Sequence, residues 1–568
     1  MQSAQQETHS KVVGDHRAVT HAPAWQVLTE SVVLAAVVCL GVFSLQWRYG
    51  FNLGDEGWLW YISKRTALGD VPLRDFFSYD PGRYYWSAFI FKLLGRSGFY
   101  EQILANYLFA IIGLTLAYVA MVRAGLSRAW RILLLLLLGI VIGFPRHKLY
   151  EQTQSLIAVA AVAFVFRASD RPKRWLLLGV VIGLAAFVGR NSGVFCFVAA
   201  LLAFVLLKVR GEPVRIAGNI GSLTAGTIIG YSPMICMILF VRGFARPFFE
   251  SVLLTPHWAW SLPIPFPWHV HVRGLRGVDL LQARAVSWLC VVVPLTYLFL
   301  LWRTSRLKRE LDGAEWLAAA ASCAGVGFLI HAFYTADFFH IAQGVVPFVV
   351  AAGSFAASYA SEDRLKLDSD FAGDGARATP NRARALSSSL AIFGILTLLV
   401  LACWLPMEPL VEHLRTKAHA PSTVTLIAIA GRKFEVPREQ ADLMTTVATS
   451  LENCGARDGS FFAAPYYPGL YAFLGTRAPT WDTYFLWPRS NSTQQREIDS
   501  LRRNHTALFL LNREFAMNGR DGLKVNSTNP VLLAYITAQY ERSAANLSEG
   551  FELYYDPAQC KNFFRANP

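Results

Sequence analysis

Charged residues are scarce in this sequence. Asp, Glu, Lys and Arg together make up 16% of the 568 residues, whereas soluble domains carry about 25%. Hydrophobic residues reach 54%, so the composition excludes an ordinary soluble protein and is typical of a membrane protein. The net charge of +14 does not indicate nucleic-acid binding, because most basic residues lie between hydrophobic segments and no basic–aromatic motif occurs.

Cysteines with metal-binding spacing are also missing. None of the eight cysteines forms a CxxC motif, which argues against a zinc module. Cys454 and Cys560 lie in the polar C-terminal part, where a disulfide between them is permitted on the outer side of a membrane but requires a short distance that the sequence does not give. The other six lie in apolar runs and are expected to be buried: Cys39, Cys196, Cys236, Cys290, Cys323 and Cys403.

The N-terminus lacks the features of a cleaved signal peptide. Residues 1–24 are polar and predict a cytoplasmic tail, and the apolar run after them is too long and has no small-residue cleavage site. A spanning helix needs about 20 apolar residues. On that criterion we predict eleven spans, near 26–46, 100–122, 130–145, 151–167, 174–189, 192–208, 216–241, 284–302, 314–333, 340–360 and 388–405.

Basic loops alternate with loops that are less basic. Every second connection is rich in Arg and Lys, which predicts that these loops lie in the cytoplasm. The loop at 47–99 is then outside, and an odd number of spans places the C-terminal part outside as well. The chain divides into the tail 1–24, a transmembrane domain 25–405 and an extracytoplasmic domain 406–568. The basic connections fall at 123–131, 167–174, 208–215, 303–309 and 361–387.

Two adjacent carboxylates, Asp55 and Glu56, follow the first span where a membrane helix meets water. Placing a carboxylate near lipid is energetically unfavourable, and such residues usually have a function. The alternative is an ordinary loop whose acids face water. Adjacent carboxylates raise each other's proton affinity, which would move the pKa of a base toward neutral. The aromatic run 58–68 is expected to lie flat at the membrane interface.

Several cations on the outer side run against the orientation rule, and an anionic ligand would explain them. Each has a simpler interpretation: a long side chain can extend to the surface, contact lipid headgroups nonspecifically, or, like Asp337 and His340 before the tenth span, cap a helix. The cations concerned are Arg146, His147, Lys148, Arg190 in the hairpin 189–193, and His340.

The C-terminal residues 406–568 predict a small α/β or α+β domain. Two segments look like buried strands, at 424–430 and 506–512, and two look like helices, at 439–451 and 530–540. The alternation of the two types indicates one compact unit.

In layout the whole chain resembles the GT-C superfamily of integral membrane glycosyltransferases. It is most similar to glycosyltransferase family 39, to the bacterial relatives of protein O-mannosyltransferases and to the aminoarabinose transferase that acts on lipid A. The resemblance is carried by Asp55-Glu56, the runs 69–76 and 81–85, the hairpin 189–193 and the segment 337–340. It implies an α-helical polytopic protein with an extracytoplasmic α/β domain, in the cytoplasmic membrane of a bacterium, with its active site on the outer face.

The resemblance also implies an activity and roles for residues. A sugar would move from a polyprenyl-phosphate donor to a hydroxyl of a lipid, glycan or protein. Asp55, the first acid of the motif, would be the general base, and Glu56 would position the acceptor or bind a metal. The leaving phosphate requires cations in a poorly hydrated place. Glu151 stands where relatives often carry an Asp. The substrate-binding candidates are Arg190, Lys148, Arg146, His147, His340, Asp337, Glu151 and Tyr84.

No cofactor is required by the sequence, although a divalent cation is allowed because some relatives use one. No set of ligands has a diagnostic spacing. Two other classes of function stay open, a transporter or flippase of lipid-linked sugars and a non-catalytic assembly protein of the cell envelope. The first is disfavoured because the acid motif has no second copy and charges within the predicted spans are few.

Overall fold

The computed structural model describes residues 23–260, 276–334, 338–371, 380–405, 408–455, 458–516, 521–545, 547–548 and 550–560. Long apolar helices make up the membrane part. Two short helices, α2 and α3, lie in the loop 47–99, which we call the first outer loop after its predicted side. The helices are α1 (Ala24–Gln46), α2 (Asp55–Ala67), α3 (Gly82–Leu94), α4 (Phe99–Arg123), α5 (Arg128–Ile142), α6 (Leu149–Phe166), α7 (Pro172–Val188), α8 (Arg190–Val209), α9 (Ile216–Phe240), α10 (Ala245–Trp260), α11 (Gly277–Arg306), α12 (Gly313–Tyr334), α13 (Phe338–Phe371) and α14 (Pro380–Trp404).

Each of the eleven predicted spans coincides with one of these helices. In the described part of the chain, eight helices are long and apolar enough to cross a membrane unaided. The helices α5 and α7 are shorter, with 15 and 17 residues. The helix α14 forms a bent pair with α15 (Pro409–His419), at an angle of 61°. The predicted polytopic helical class is therefore confirmed.

Close packing of glycines joins α7 to α9. Gly179 and Gly183 of α7 face Gly226 and Gly230 of α9, and a Cβ atom on Gly179 would collide with the carbonyl oxygen of Leu223. Small residues spaced by four let the backbones of membrane helices approach closely. This contact fixes α7, whose last residues meet the first outer loop.

The C-terminal domain contains two sheets. The first is an antiparallel hairpin, and the second has the order β3-β4-β6-β5, in which β3 and β4 are parallel and the other neighbours are antiparallel. The strands are β1 (Val424–Ile429), β2 (Arg432–Pro437), β3 (Phe461–Ala464), β4 (Leu508–Asn512), β5 (Glu541–Arg542) and β6 (Phe551–Tyr555). The helices are α16 (Arg438–Asn453), α17 (Pro468–Leu474), α18 (Asn491–Arg503), α19 (Val525–Thr528) and α20 (Pro530–Gln539).

Both predicted strands and both predicted helices of this domain are present, as β1, β4, α16 and α20. The permitted disulfide is confirmed, since Cys454 and Cys560 are bonded with their Cα atoms 4.1 Å apart. The bond joins the end of α16 to the residues after β6. Of the six remaining cysteines, five are buried as expected, whereas Cys236 lies on an exposed face of α9.

The helix α2 does not lie open at the membrane interface as predicted. Its residues from Trp58 to Ile62 are all buried, because the C-terminal domain covers the loop. The backbone N–H of Gly469 donates to Leu53 O (2.9 Å), and that of Phe77 donates to Trp481 O (2.7 Å). The first outer loop and the C-terminal domain thus pack as one layer above the membrane helices.

Candidate active site

The acid pair occupies the first turn of α2. The side-chain oxygen of Asn52 accepts hydrogen bonds from the backbone N–H groups of Gly54 (2.8 Å) and Asp55 (3.0 Å). The backbone N–H of Asn52 donates to Glu56 Oε2 (3.0 Å). These reciprocal bonds satisfy N–H groups that a helix start leaves without partners. Two acids in the first turn are also favoured by the helix dipole. The short polar segment before α2 therefore fixes where both carboxylates point.

Glu56 is held in a buried ion pair with Arg146. The guanidinium donates from Nε to Glu56 Oε1 (2.6 Å) and from Nη2 to Oε2 (2.9 Å). It also donates to Gln46 O (3.3 Å) and Gly50 O (3.1 Å). The side chains are 4% exposed for Arg146 and 9% for Glu56. Such two-point pairing is strong and directional, so this pair ties the segment between α1 and α2 to the start of α6.

Asp55 points to the other side and keeps much of its carboxylate open. Its side chain is 46% exposed, and His147 Nε2 lies 3.5 Å from its Oδ2. The hydroxyl of Tyr466, from the C-terminal domain, donates to Oδ1 (3.0 Å). The site is thus composed of residues that lie up to 411 positions apart in the sequence.

The pKa of Asp55 is lowered, not raised as the pairing with Glu56 predicted. Burial raises the pKa of this carboxyl, but the charges of His147 and Lys148, the hydroxyl of Tyr466 and the charge of His340 outweigh burial. Glu56 does not reverse this effect because Arg146 compensates its charge. The Asp55 carboxylate is therefore ionised at neutral pH.

A cavity of about 490 Å³ opens beside Asp55. It lies between the residues that precede α2 and the C-terminal domain, and its volume is in the usual range for ligand sites. Aromatic side chains and a few polar groups line it, among them Asp55, Gln440, Tyr466, Tyr467, Tyr484 and Phe551. The sequence analysis missed the residues from the C-terminal domain. The run Tyr466-Tyr467-Pro468-Gly469 was the available signal, since two tyrosines precede a Pro-Gly helix start.

A second buried pair lies between Glu151 and Arg83. Arg83 Nη1 donates to Glu151 Oε1 (2.7 Å), and Arg83 Nε donates to Val188 O (2.9 Å). The other carboxylate oxygen, Glu151 Oε2, is buried without a hydrogen-bond partner among the described residues. Glu151 therefore joins α6 to α3, and one of its oxygens remains available.

Arg190 is paired with Asp80, which lies just before α3. The carboxylate of Asp80 accepts the backbone N–H of Arg190 (2.7 Å) and its Nε (3.0 Å), and Arg190 Nη2 donates to Ser251 Oγ (3.0 Å). Arg190 Nη1 is buried and has no hydrogen-bond partner in the described part of the chain. One nitrogen of this guanidinium can thus donate a hydrogen bond to a further anionic group.

The remaining candidates have mixed outcomes. The His340 ring lies 4.4 Å from that of His331, and its charge acts on Asp55. Tyr84 is fully buried, and its hydroxyl accepts the N–H of Tyr79 (3.3 Å). The prediction that Tyr84 contacts substrate is therefore wrong, since no part of this ring reaches a surface. Asp337 lies outside the described residues.

Asp55, Arg190 and His340 are three of the predicted site residues, and they differ in their relation to this cavity. Asp55 lines the 490 Å³ cavity, whereas neither of the other two does. Arg190 instead lies with Asp80 and Ser251. The cations nearest Asp55 are His147, Lys148 and His340.

Comparison with known proteins bears on the fold. No protein-family model and no curated protein matches the chain. Among solved structures, ArnT from Cupriavidus metallidurans, bound to undecaprenyl phosphate, matches with a TM-score of 0.50 and 12% identity over 93% of this chain and 98% of that one. This chain shares the fold of that structure. Two further structures match with TM-scores below 0.5 and carry no argument. One is the apo ArnT, with a TM-score of 0.47 and 14% identity over 93% of this chain and 98% of that one. The other is the Archaeoglobus fulgidus oligosaccharyltransferase tethered with an acceptor peptide, with a TM-score of 0.44 and 10% identity over 93% of this chain and 73% of that one.

The acids near Asp55 do not suit a divalent cation. Such ions are held by several carboxylate oxygens together, but Glu56 and Glu151 are each bonded to an arginine, and the nearest charges around Asp55 are positive. In the part of the chain that the structure describes, no three His, Cys, Asp or Glu side chains converge. We derive no step through a metal ion.

Proposed function

We propose that this protein is a membrane glycosyltransferase that moves a sugar from a polyprenyl-phosphate donor to a hydroxyl of a lipid, glycan or protein acceptor. The observation that carries the proposal is Asp55, an open carboxylate between a cavity and a group of cations, while the neighbouring Glu56 is tied to Arg146. The solved structure with the same fold contains undecaprenyl phosphate, which supports this class of donor.

In the proposed mechanism Asp55 acts as general base. The acceptor enters the cavity beside Tyr466 and Tyr484, and its O–H proton passes to the Asp55 carboxylate. The acceptor oxygen attacks the anomeric carbon, and the bond from that carbon to the phosphate oxygen breaks. The lipid phosphate leaves with the electron pair. An ionised Asp55 suits this role because it is ready to accept a proton at neutral pH.

The leaving phosphate requires positive charge that is already in place. Lys148 fits this role, because its charge acts on Asp55. His147 and His340 also act on Asp55, but burial lowers the pKa of His147, so at neutral pH this ring contributes an N–H donor and not a full charge. Arg190, through its free Nη1, is placed for a more distant phosphate or sugar group. This arrangement puts the donor on the side of α6 and α13 and the acceptor on the side of the C-terminal domain.

Three other candidates receive positioning roles in this proposal. Arg146 and Glu56 form an ion pair with each other. We therefore do not assign Arg146 to the binding of the phosphate, and we do not assign Glu56 to the proton transfer. Glu151 holds Arg83 and thereby α3. We place the site and the C-terminal domain on the outer face of the bacterial cytoplasmic membrane, as the alternation of basic loops predicts.

The test is donor consumption by the purified protein in lipid nanodiscs with a panel of polyprenyl-phosphate sugars. Asp55→Asn should lower the rate by about 10²–10⁴-fold, the usual contribution of a general base. Asp442→Asn is the matched control, since Asp442 is an exposed acid on α16, the helix that lines the cavity with Gln440. The control should retain the wild-type rate.

Three outcomes would overturn the proposal. Equal consumption by wild type and Asp55→Asn would remove Asp55 as the base. A wild type that consumes no donor of the panel but moves labelled donor across the bilayer would favour the transporter interpretation. A protein with neither activity, whose Asp55→Asn variant still restores a cell-envelope defect in a deletion strain, would favour the assembly role.

A further inference from the structure

A second cavity lies at the end of the helix bundle opposite to Asp55. Its volume is about 540 Å³, and it is enclosed by α4, α6, α7 and α12. The helix α4 starts at Phe99, whose ring centroid lies 4.4 Å from that of Phe51 near the acid pair. It is 25 residues long and ends at Arg123. At about 1.5 Å per residue the two ends are roughly 37 Å apart. This cavity is therefore separate from the proposed active site.

The walls of this second cavity are apolar and partly open to the outside of the bundle. Small and branched aliphatic side chains make up most of the lining, with Trp316 at one end. Two lining residues, Phe164 and Leu177, are exposed by 41% and 52%. Apolar side chains in these positions on a membrane helix face lipid chains. The cavity is thus a cleft that lipid can enter from the side.

Three arginines stand at the rim of the cleft, namely Arg123, Arg167 and Arg174. No Asp or Glu is among the residues that line it, although Asp170 lies near Arg174. Basic residues at this end of the bundle are expected from the predicted orientation of the chain alone, but three of them around one apolar cleft also form a site that favours an anion. A phosphate diester on two acyl chains supplies the anion and the apolar filling together.

A purely structural role for the arginines accounts for only part of their hydrogen-bonding capacity. Arg167 Nη1 donates to Arg123 O (3.3 Å), and Arg174 Nη1 donates to Phe164 O (2.6 Å). Both acceptors are carbonyls in the last turn of a helix, which need such partners. A guanidinium has five N–H donors, so each arginine retains donors for a headgroup.

We propose that this cleft binds an anionic phospholipid, with the headgroup phosphate on Arg123, Arg167 and Arg174 and an acyl chain between α4, α6 and α7. A free phosphate would leave the apolar walls empty, and an uncharged lipid would leave the three charges without a partner. The inference does not depend on the proposed transferase activity, because the cleft shares no residue with that site.

The test is native mass spectrometry of the full-length protein released from nanodiscs of phosphatidylglycerol or phosphatidylcholine. The wild type should retain one phosphatidylglycerol molecule and no phosphatidylcholine. The variant with Arg123→Gln, Arg167→Gln and Arg174→Gln should lose at least about tenfold in affinity, since each basic side chain near the membrane surface contributes roughly a factor of five. Glycerophosphoglycerol, which has the headgroup without chains, should not bind.

The matched control replaces three other cations at the same end of the bundle, by Arg128→Gln, Lys173→Gln and Arg215→Gln. These residues do not line the cleft, so lipid retention should be unchanged. The substitution Ala161→Phe fills the cleft and keeps all charges, and it should also abolish retention. Single Arg123→Gln serves if the triple variant does not fold. Equal losses in the test and control variants, or full retention in Ala161→Phe, would overturn the proposal.

Discussion

Burial raises the pKa of the Asp55 carboxyl, and its surroundings more than reverse that effect. The charges of His147, Lys148 and His340 and the hydrogen bond from Tyr466 favour the ionised form, so the pKa falls below the ordinary value of 3.8. A base with a lowered pKa loses its function only when the pH falls through that value. Between this pH and neutrality the proposed transferase should therefore show no loss of rate that is due to Asp55.

The variant Tyr466→Phe tests this assignment. It removes an O–H group that donates to the carboxylate (3.0 Å), so the pKa of Asp55 should rise and the acidic limb of kcat/KM should move to higher pH. Tyr484→Phe is the control, because Tyr484 lines the same cavity and its hydroxyl is not the donor to Asp55. It should leave the limb in place. A limb that does not move in Tyr466→Phe would contradict Asp55 as the titrating base.

The buried pair of Glu56 and Arg146 should matter for stability. Arg146→Met leaves a carboxylate that is 9% exposed without its partner, and removing one side of such a pair costs about 3–5 kcal/mol. We expect a clear decrease in the thermal unfolding midpoint in detergent. The double variant Glu56→Gln, Arg146→Met should recover part of that loss.

Arg128→Met is the matched control for this pair. Arg128 meets Glu30 at 3.6 Å and its side chain is 72% exposed, so the change should alter stability by at most about 1 kcal/mol. If the two single variants unfold at the same temperature, the Glu56–Arg146 pair does not have the structural role assigned to it.

At the scale of elements, the glycine contact between α7 and α9 should tolerate no side chain. In Gly179→Ala the added methyl group would meet the backbone of α9, and a backbone cannot move aside as a flexible side chain can. Overpacking of this kind costs about 1–3 kcal/mol or more. The unfolding midpoint of the purified protein should fall accordingly.

Gly221→Ala is the control, because it replaces a glycine by alanine at a position where the added Cβ contacts no other helix in the described part of the chain. Gly221 lies on α9, and a Cβ atom there meets nothing within 4 Å. Alanine is a better helix former than glycine by about 1 kcal/mol, so this variant should be at least as stable as the wild type. A loss of stability in Gly221→Ala as large as in Gly179→Ala would mean that close packing does not explain the glycines.

The membrane helices could be predicted from the sequence because a span is encoded locally, as a run of apolar residues long enough to cross lipid. The strand β2 (Arg432–Pro437) was missed, because only two of its residues, Phe434 and Val436, are buried apolar side chains. Its place is set by pairing with β1 and with Tyr49. The position of α2 was also mispredicted. An aromatic amphipathic run suits both a membrane interface and a protein interior, and only the tertiary structure decides between them.

The candidate site divides in the same way. Asp55 and the basic residues near it could be predicted as site candidates. Charged residues in such positions are energetically unfavourable unless they have a function. The pairing of Glu56 with Arg146, across 90 residues, and the contact of Tyr466 with Asp55, across 411, have no local signature. They are properties of the folded chain, and they reversed the expected pKa shift.

At the scale of the whole molecule, the C-terminal domain and the first outer loop hold the cavity between them. Gly57 of α2 and Gly469 of α17 lie in direct contact, and a Cβ atom on Gly57 would lie 2.6 Å from the backbone nitrogen of Gly469. The backbone N–H of Gly50 also donates to Glu435 O (2.9 Å). The second glycine of the Gly54-Asp55-Glu56-Gly57 stretch is thus explained by the close approach of the two parts.

Gly57→Ala should separate these parts without unfolding the membrane helices. The methyl group would push α17 away from α2, which moves Tyr466 from Asp55 and opens the cavity. Hydrogen–deuterium exchange should increase in peptides that cover residues 48–57 and 466–484, where the bonds between the loop and the domain lie. Exchange in α4, α6 and α13 should be unchanged, and donor consumption should fall.

Gly522→Ala, in the same domain but with no atom near the added Cβ, should match the wild type in both measurements. Unchanged exchange in Gly57→Ala would show that the contact does not hold the domain on the loop, and the acceptor side of the proposed site would then need another wall.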